Sequence, residues 1–582
     1  MEETFTYDDM NRLTDITLKQ PSGQDLRGNR LSIQDPDAGT VTSTYDALNR
    51  LVARTDANGN QTTYTYDLVG RVTRTKYSDG TNNETVDFYY DTAPGKGIGK
   101  LASVDHEGVT EREYAYDTLG RVAILSVYDG HEQYDHLYDY DSLGRVMYFT
   151  YPDGFCIRNS YDSYGELSAI HNADNDDLIY VVSLRNAFRQ PLKCRFGNDA
   201  GAQYTYNDYG MLTGIKNGDV IFAGNVINAG GGVNDPEVNY SIGTQFRNVT
   251  YTYDSRGFIA TKSDAMVNQS ETYCYDNLDR LESYSVNNVT AASFSFDGNG
   301  NIETNSKIGS YNYGSTRPHA VISIDGNERT ASPSLCDVTY NLRNRPENLY
   351  MNGYNVTLDY DASGMRRHTL VTNGQTFVKE KTRISDFYEE ENTPLRTQVL
   401  DYIYAEGKVV AVRVGDGHNG SLYYVLTDHL GSWEKVLDED KTVVQQTHFD
   451  PWGNRMSYTA WNTPQTQTSF TFDRGFTGHE HYDQLHIINA NARLYDPTIG
   501  RFFSPDPFVQ TPDFTQSFNR YSYCMNNPVM YSDPDGKFLG IPMLGLAFAA
   551  ELTSNLINGI FSILILAENL TEHKIGEEKR VI

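Results

Sequence analysis

Along most of this chain, aromatic and apolar residues alternate with polar ones in short runs. Each run ends on the same punctuation, aromatic-x-Tyr-Asp-x-x-Gly-Arg-Val/Leu. Clear copies are Tyr64-x-Tyr66-Asp67-x-x-Gly70-Arg71-Val72, Tyr114-x-Tyr116-Asp117-x-x-Gly120-Arg121-Val122 and Tyr138-x-Tyr140-Asp141-x-x-Gly144-Arg145-Val146. Tyr251-x-Tyr253-Asp254-x-x-Gly257 is a further copy. The aspartates recur 21 residues apart from Asp46 to Asp67 and again from Asp141 to Asp162, and 22 apart from Asp254 to Asp276. A period near twenty marks a repeat architecture.

Tyr-x-Tyr puts both rings on one side of a strand. Asp-x-x-Gly then predicts a type I turn: Asp caps backbone N–H groups, and Gly takes positive φ with a bulge. The substitutions agree. The Gly slot is filled elsewhere by Asn11, Asn49, Asn344 or Asp279, residues that tolerate the left-handed region, and the Asp slot by Asn207 or Asn341. In Asp450-Pro451-Trp452-Gly453 the proline falls where a type I turn accepts it. Each unit is a hairpin that cannot bury its aromatic face alone, so neighbours stack into a long twisted ribbon. Two stretches break the rhythm: 225–239, with Ala229-Gly230-Gly231-Gly232, predicts a loop, and 316–333 predicts a long excursion between strands.

Composition supports an all-β fold. The 582 residues include 44 Tyr and 48 Gly but only 19 Pro. A formal net charge of −29 argues against nucleic-acid binding by the body of the protein. The five cysteines form no CxxC pair and no disulfide framework, and are expected to be mostly buried free thiols. Met1-Glu2-Glu3 starts no Sec signal, and Phe5-Thr6-Tyr7-Asp8 opens inside a repeat, as in the C-terminal piece of something longer.

From Tyr424 to Gly536 the repetition gives way to specific motifs. They include Thr427-Asp428-His429-Leu430-Gly431, Phe476-Thr477-Gly478-His479-Glu480, Ala492-Arg493-Leu494-Tyr495-Asp496-Pro497 and Gly500-Arg501-Phe502. Ser504-Pro505-Asp506-Pro507, Asn526-Asn527-Pro528 and Asp533-Pro534-Asp535-Gly536 complete the set. This order resembles the core region that ends the repeat shell of Rhs (YD-repeat) proteins, which are similar to toxin-complex C subunits and teneurins. The resemblance implies that the ribbon spirals into a hollow shell. It divides the chain into a repeat region (1–370), a repeat-associated core (371–537) and a variable C-terminal segment (538–582).

The resemblance also implies chemistry. Asp506 and Asp533 match two aspartates at which bacterial relatives cut their own chain, which puts the scissile bond at Lys537–Phe538. Two carboxylates brought together divide the work, one activating water and the other donating a proton. Arg493 and Arg501 are the expected supporting cations. The chain departs from cleaving relatives in its longer spacing of 27, in Phe508-Val509 where a glycine stands, and in Lys537 where leucine is usual. His479, His481 and His486 fall at no recognised metal-ligand spacing, and no metal or other cofactor is expected.

The tail 538–567 is apolar and predicts short helices against the shell interior, or contact with a membrane. The last 45 residues are too few for an enzyme with a core. The implied function is an Rhs-type encapsulating shell of a bacterial polymorphic toxin. It would hold its own C-terminal segment, release it by self-cleavage, and work with secretion machinery and an immunity protein from a secreted or cell-surface location. The alternative is a non-catalytic surface repeat protein that binds glycans or proteins.

Overall fold

A computed structural model describes residues 29–222, 240–326, 337–415, 419–467, 470–507, 509 and 514–537, and the backbone of the strands Glu2–Tyr7 and Leu13–Lys19. Among the described residues those two strands pair with each other. From Ser32–Asp35 to Val321–Gly326, every strand is hydrogen-bonded to its sequence neighbours, and the ring shuts as a closed barrel. Beside the seam His319 Nδ1 meets Asp37 Oδ2 at 2.6 Å.

A second, 11-stranded sheet runs from Asp337–Tyr340 to Val443–Gln446, again in sequence order. Ion pairs and hydrogen bonds join it to the barrel along its length. Asn344 bonds Asp56 (2.6 Å), Asp361 pairs with Arg112, Arg413 with Asp153 (2.5 Å), Glu406 with Arg185 (2.5 Å) and Glu434 with Lys262 (2.8 Å). Its strands Lys408–Gly415 and Trp433–Leu437 are buried on both faces, as an inner layer must be. A three-stranded sheet (His448–Phe449, Arg455–Ser457, Ala460–Pro464) and a four-stranded sheet (Glu480–Tyr482, Ile487–Asn489, Leu494–Asp496, Arg501–Phe502) pack against this layer and the barrel.

The repeat unit has the expected turn. Asp67 Oδ1 accepts Val69 N (3.0 Å) and Arg71 N (2.9 Å), and Gly70 N closes on Asp67 O (3.2 Å). Asn49, Asp279 and Asn344 take φ of 64°, 65° and 57° in the glycine slot. Arg189 (φ 68°) and Lys441 (φ 64°) fill it too, so the slot is more permissive than the sequence suggested. A register shift at each second Tyr marks the bulge. The rings of Tyr114 and Tyr116 lie 6.5 Å apart and nearly parallel, on one face.

Two further contacts stitch unit to unit. The arginine pairs with its own aspartate and lies over the second Tyr of the next unit: Arg121 over Tyr140 at 4.2 Å, Arg145 over Tyr161 at 4.3 Å. That Tyr donates its hydroxyl to the carbonyl just after the arginine, Tyr140 to Val122 (2.7 Å) and Tyr161 to Val146 (2.8 Å).

Some expectations change. Residues 321–326 form the last barrel strand, so the excursion expected over 316–333 does not span them. The division expected at 370 and 371 falls within the strand Arg366–Asn373. Cys194 and Cys524 are buried free thiols, but Cys156 is half-buried and Cys274 exposed. The loop 225–239, Cys336 and the helical tail expected from 538 lie outside the described residues.

Candidate functional site

The four-stranded sheet and the chain that follows it bring Asp506 and Asp533 onto one side chain. Arg493, in the loop that enters the strand Leu494–Asp496, places Nη2 3.0 Å from Asp506 Oδ2 and 2.8 Å from Asp533 Oδ2. All three residues are buried. Arg493 also lies 3.6 Å over the Phe502 ring and gives Nη1 to Arg520 O at 3.1 Å. Its Nε donates to the carbonyl of Gly536 at 2.5 Å, one residue before Lys537. A single guanidinium thus organises both carboxylates and the chain leading to the expected cut.

Local sequence explains the placement. Asp533-Pro534-Asp535-Gly536 is the repeat's own punctuation, turned inward. Gly536 has φ +74°, and a Cβ there would come within 2.2 Å of Ala490 O, so only glycine fits. Ala492 N donates to Asp535 O (3.1 Å), Asn491 Nδ2 to Pro534 O (3.1 Å) and His479 Nε2 to Asp533 O (2.8 Å). On the other side Asp506 N donates to Arg520 O (2.8 Å), Arg520 Nε returns a bond to Asp506 O (2.5 Å), and Arg520 pairs with Asp35 of the barrel (2.7 Å).

Burial drives the His479 imidazole down to about 4. It is therefore neutral at pH 7 and serves as an Nε2–H donor. His429, also lowered by burial, meets the Val529 carbonyl through Nε2 at 2.9 Å. His481 Nε2 accepts Phe476 N at 2.9 Å. Beside the pair, the Cys524 thiol is raised well above its ordinary value by burial and then by the charge of Asp533.

Arg501 does not join the aspartates. Its Nη1 donates to Gly500 O and to Asn526 Oδ1, both at 2.9 Å. Of the two arginines expected beside the aspartates, only Arg493 touches them among the described residues. Sequence reasoning weighed His479 as a metal ligand and missed its grip on Asp533, because the contact runs to a backbone oxygen 54 residues away. Lys537 N donates to Asp535 Oδ1 (2.9 Å), and Phe538 lies outside the described residues.

This geometry sits within a recognisable lineage. The family model of the teneurin YD-shell matches residues 228–529, and that of the RHS repeat matches 25–60 and 45–81. The chain belongs to the teneurin YD-shell family. This YD shell is 34% identical over 149 residues to salivary gland surface protein 1 of Aedes aegypti, covering 26% of this chain and 4% of that one. It is 23% identical over 306 residues to the tRNA3(Ser)-specific nuclease WapA of Bacillus spizizenii, covering 52% and 11%. A crystal structure of TcdB2-TccC3 superposes with a TM-score of 0.71 at 18% identity, over 92% of this chain and 30% of that one. The shell spans a small part of each of these relatives.

Proposed function

We propose that this YD shell encloses its own C-terminal segment as part of a toxin-delivery protein and cuts that segment free at Lys537–Phe538. One observation carries the proposal. Two aspartates 27 residues apart meet on one guanidinium nitrogen, and the same side chain holds the carbonyl of Gly536. In the reaction, one carboxylate takes a proton from water as the oxygen attacks the Lys537 carbonyl carbon. The other carboxyl protonates the departing nitrogen of Phe538 as the C–N bond breaks. Arg493 fixes both carboxyls and the substrate strand, so attack is intramolecular. The fold shared with TcdB2-TccC3 and the similarity to the nuclease WapA support a shell of this kind. A secreted or surface location, and service by secretion machinery and an immunity protein, go with it.

Mass spectrometry of the purified chain tests the cut. The expected fragment begins at Phe538, and Asp533→Asn abolishes it. A single intact mass for both proteins removes the catalytic role and leaves the shell.

A second reading rests on the same guanidinium. Arg493 pairs with two carboxylates, as it would in a purely structural triad. The chain would then be a non-catalytic surface repeat protein that binds glycans or proteins. Glycan-array binding by an intact, uncut chain favours that reading.

A further inference from the structure

Where the barrel seam meets the core sheet, a cavity of about 110 Å³ opens beside the aspartate pair, separated from it by the Phe502 ring. Arg501, Arg317 and Tyr521 supply its polar wall; Val321, Ile499 and Phe502 supply the apolar one. Arg501 is 1% exposed, and among the described residues it forms no ion pair. Its Nη1 is occupied by Gly500 O and Asn526 Oδ1, while among the described residues Nε and Nη2 make no hydrogen bond of normal geometry, the Tyr313 hydroxyl lying near enough to interact with the guanidinium. Those two atoms form the side-on edge of a guanidinium. Arg74 presents the same edge to Asp87, at 2.5 and 2.9 Å. It is the edge that matches a planar or tetrahedral oxyanion with two parallel bonds.

The neighbouring acids are committed elsewhere: Asp37 to His319, Asp35 to Arg520, and Asp496 to the backbone N–H of Thr498. A buried guanidinium without a counter-charge is costly. The cavity is larger than one water, whose share of liquid volume is about 30 Å³. Arg317, exposed at its mouth, lies against the Tyr521 hydroxyl and adds a second positive charge.

We propose that this cavity binds a small oxyanion, carboxylate or phosphate, on the Nε–Nη2 edge of Arg501 with Arg317 closing over it. The bound anion ties the hairpin at the barrel seam to the core sheet. Its binding is independent of self-cleavage.

The test is thermal unfolding and calorimetric titration of the full chain in sodium acetate, sodium phosphate or sodium chloride at equal ionic strength. A saturable rise in Tm over chloride is expected, larger with acetate if the natural ligand is a carboxylate and larger with phosphate if it is a phosphate. Arg317→Gln, at an exposed site, leaves the Tm in chloride unchanged and weakens binding about tenfold. Val321→Phe narrows the cavity while keeping both guanidiniums, and it abolishes the rise. Identical Tm in all three salts with no binding heat, or a rise undiminished in both variants, overturns the site.

Discussion

At the scale of single residues, the site depends on polar atoms meeting across long stretches of chain. The aspartates, Arg493 and Gly536 were visible as motif letters, because repeat punctuation and the Rhs resemblance mark them. Which arginine would serve was not visible. Arg493 and Arg501 are both buried, and only the fold shows that one faces the carboxylates while the other faces Asn526 and a cavity. His479 is the clearest omission, and its environment yields a prediction. Burial holds its folded pKa near 4, below the value of about 6.5 for a free imidazole. The unfolded chain therefore binds the proton more readily. The neutral ring's contribution is complete above pH about 6.5 and is lost as pH falls through 4. His479→Gln keeps an N–H donor for Asp533 O but has no titration. Its unfolding free energy, from urea titrations at several pH values, should fall less steeply between pH about 6.5 and 4 than that of the native chain. Parallel curves would remove His479 as a source of acid sensitivity.

At the scale of the hairpin, the sequence was most informative. Turn position, the φ > 0 slot and the shared face of Tyr-x-Tyr are local properties, and local chemistry dictates them. The stitch between units was not legible, since it depends on how far one hairpin twists over the next. Only then does Arg121 reach the Tyr140 ring, and that Tyr reach Val122 O. The third residue of the turn separates two barrel turns from two turns of the core region. Leu119 and Leu143 hold this position on the barrel and stand 71% and 76% exposed, whereas Leu430 and Trp452 hold it in the core region and are buried. Leu430→Ala should therefore cost about 2–3 kcal/mol, toward the low end for a core leucine because its neighbours pack on one side of a turn. Leu119→Ala should change stability by less than about 0.5 kcal/mol. Denaturant midpoints of the two variants check this, and similar values would mean that the turns are equally packed.

At the scale of the whole molecule, the layers are held by ion pairs that join residues far apart in sequence, and alternation along one strand cannot reveal them. The resemblance implied a hollow shell, but the His319–Asp37 contact at the ring closure and the nesting of the second sheet were absent from the sequence reading for that reason. One inter-layer contact repeats the geometry of the candidate site. Arg413 of the inner sheet places Nη1 2.6 Å from Asp401 Oδ2 and 2.5 Å from Asp153 Oδ2 of a barrel turn. Asp401 is fully buried, and its Oδ1 has no hydrogen-bond partner among the described residues. Burial, and then the charge of Asp153, push its carboxyl up to about 7, with Arg413 pulling the other way. Among the described residues Tyr151 and Tyr388 also face it, and burial raises both phenols. The sign is opposite to that of His479. The folded state holds this proton more tightly, so the stabilisation is complete below pH about 4 and is lost as pH rises through 7. Asp401→Asn keeps the shape, removes the titration and leaves Arg413 paired with Asp153. The variant's unfolding free energy should decline less than the native chain's between pH about 4 and 7, so the difference between them shifts in the variant's favour as pH rises. Because the contact joins the two layers, hydrogen exchange at the strands Thr397–Ala405 and Val146–Thr150 should show the same trend. An Asp401→Asn chain with the native pH profile would mean that Arg413 keeps both carboxylates ionised, and the inner sheet would then be anchored to the barrel independently of pH.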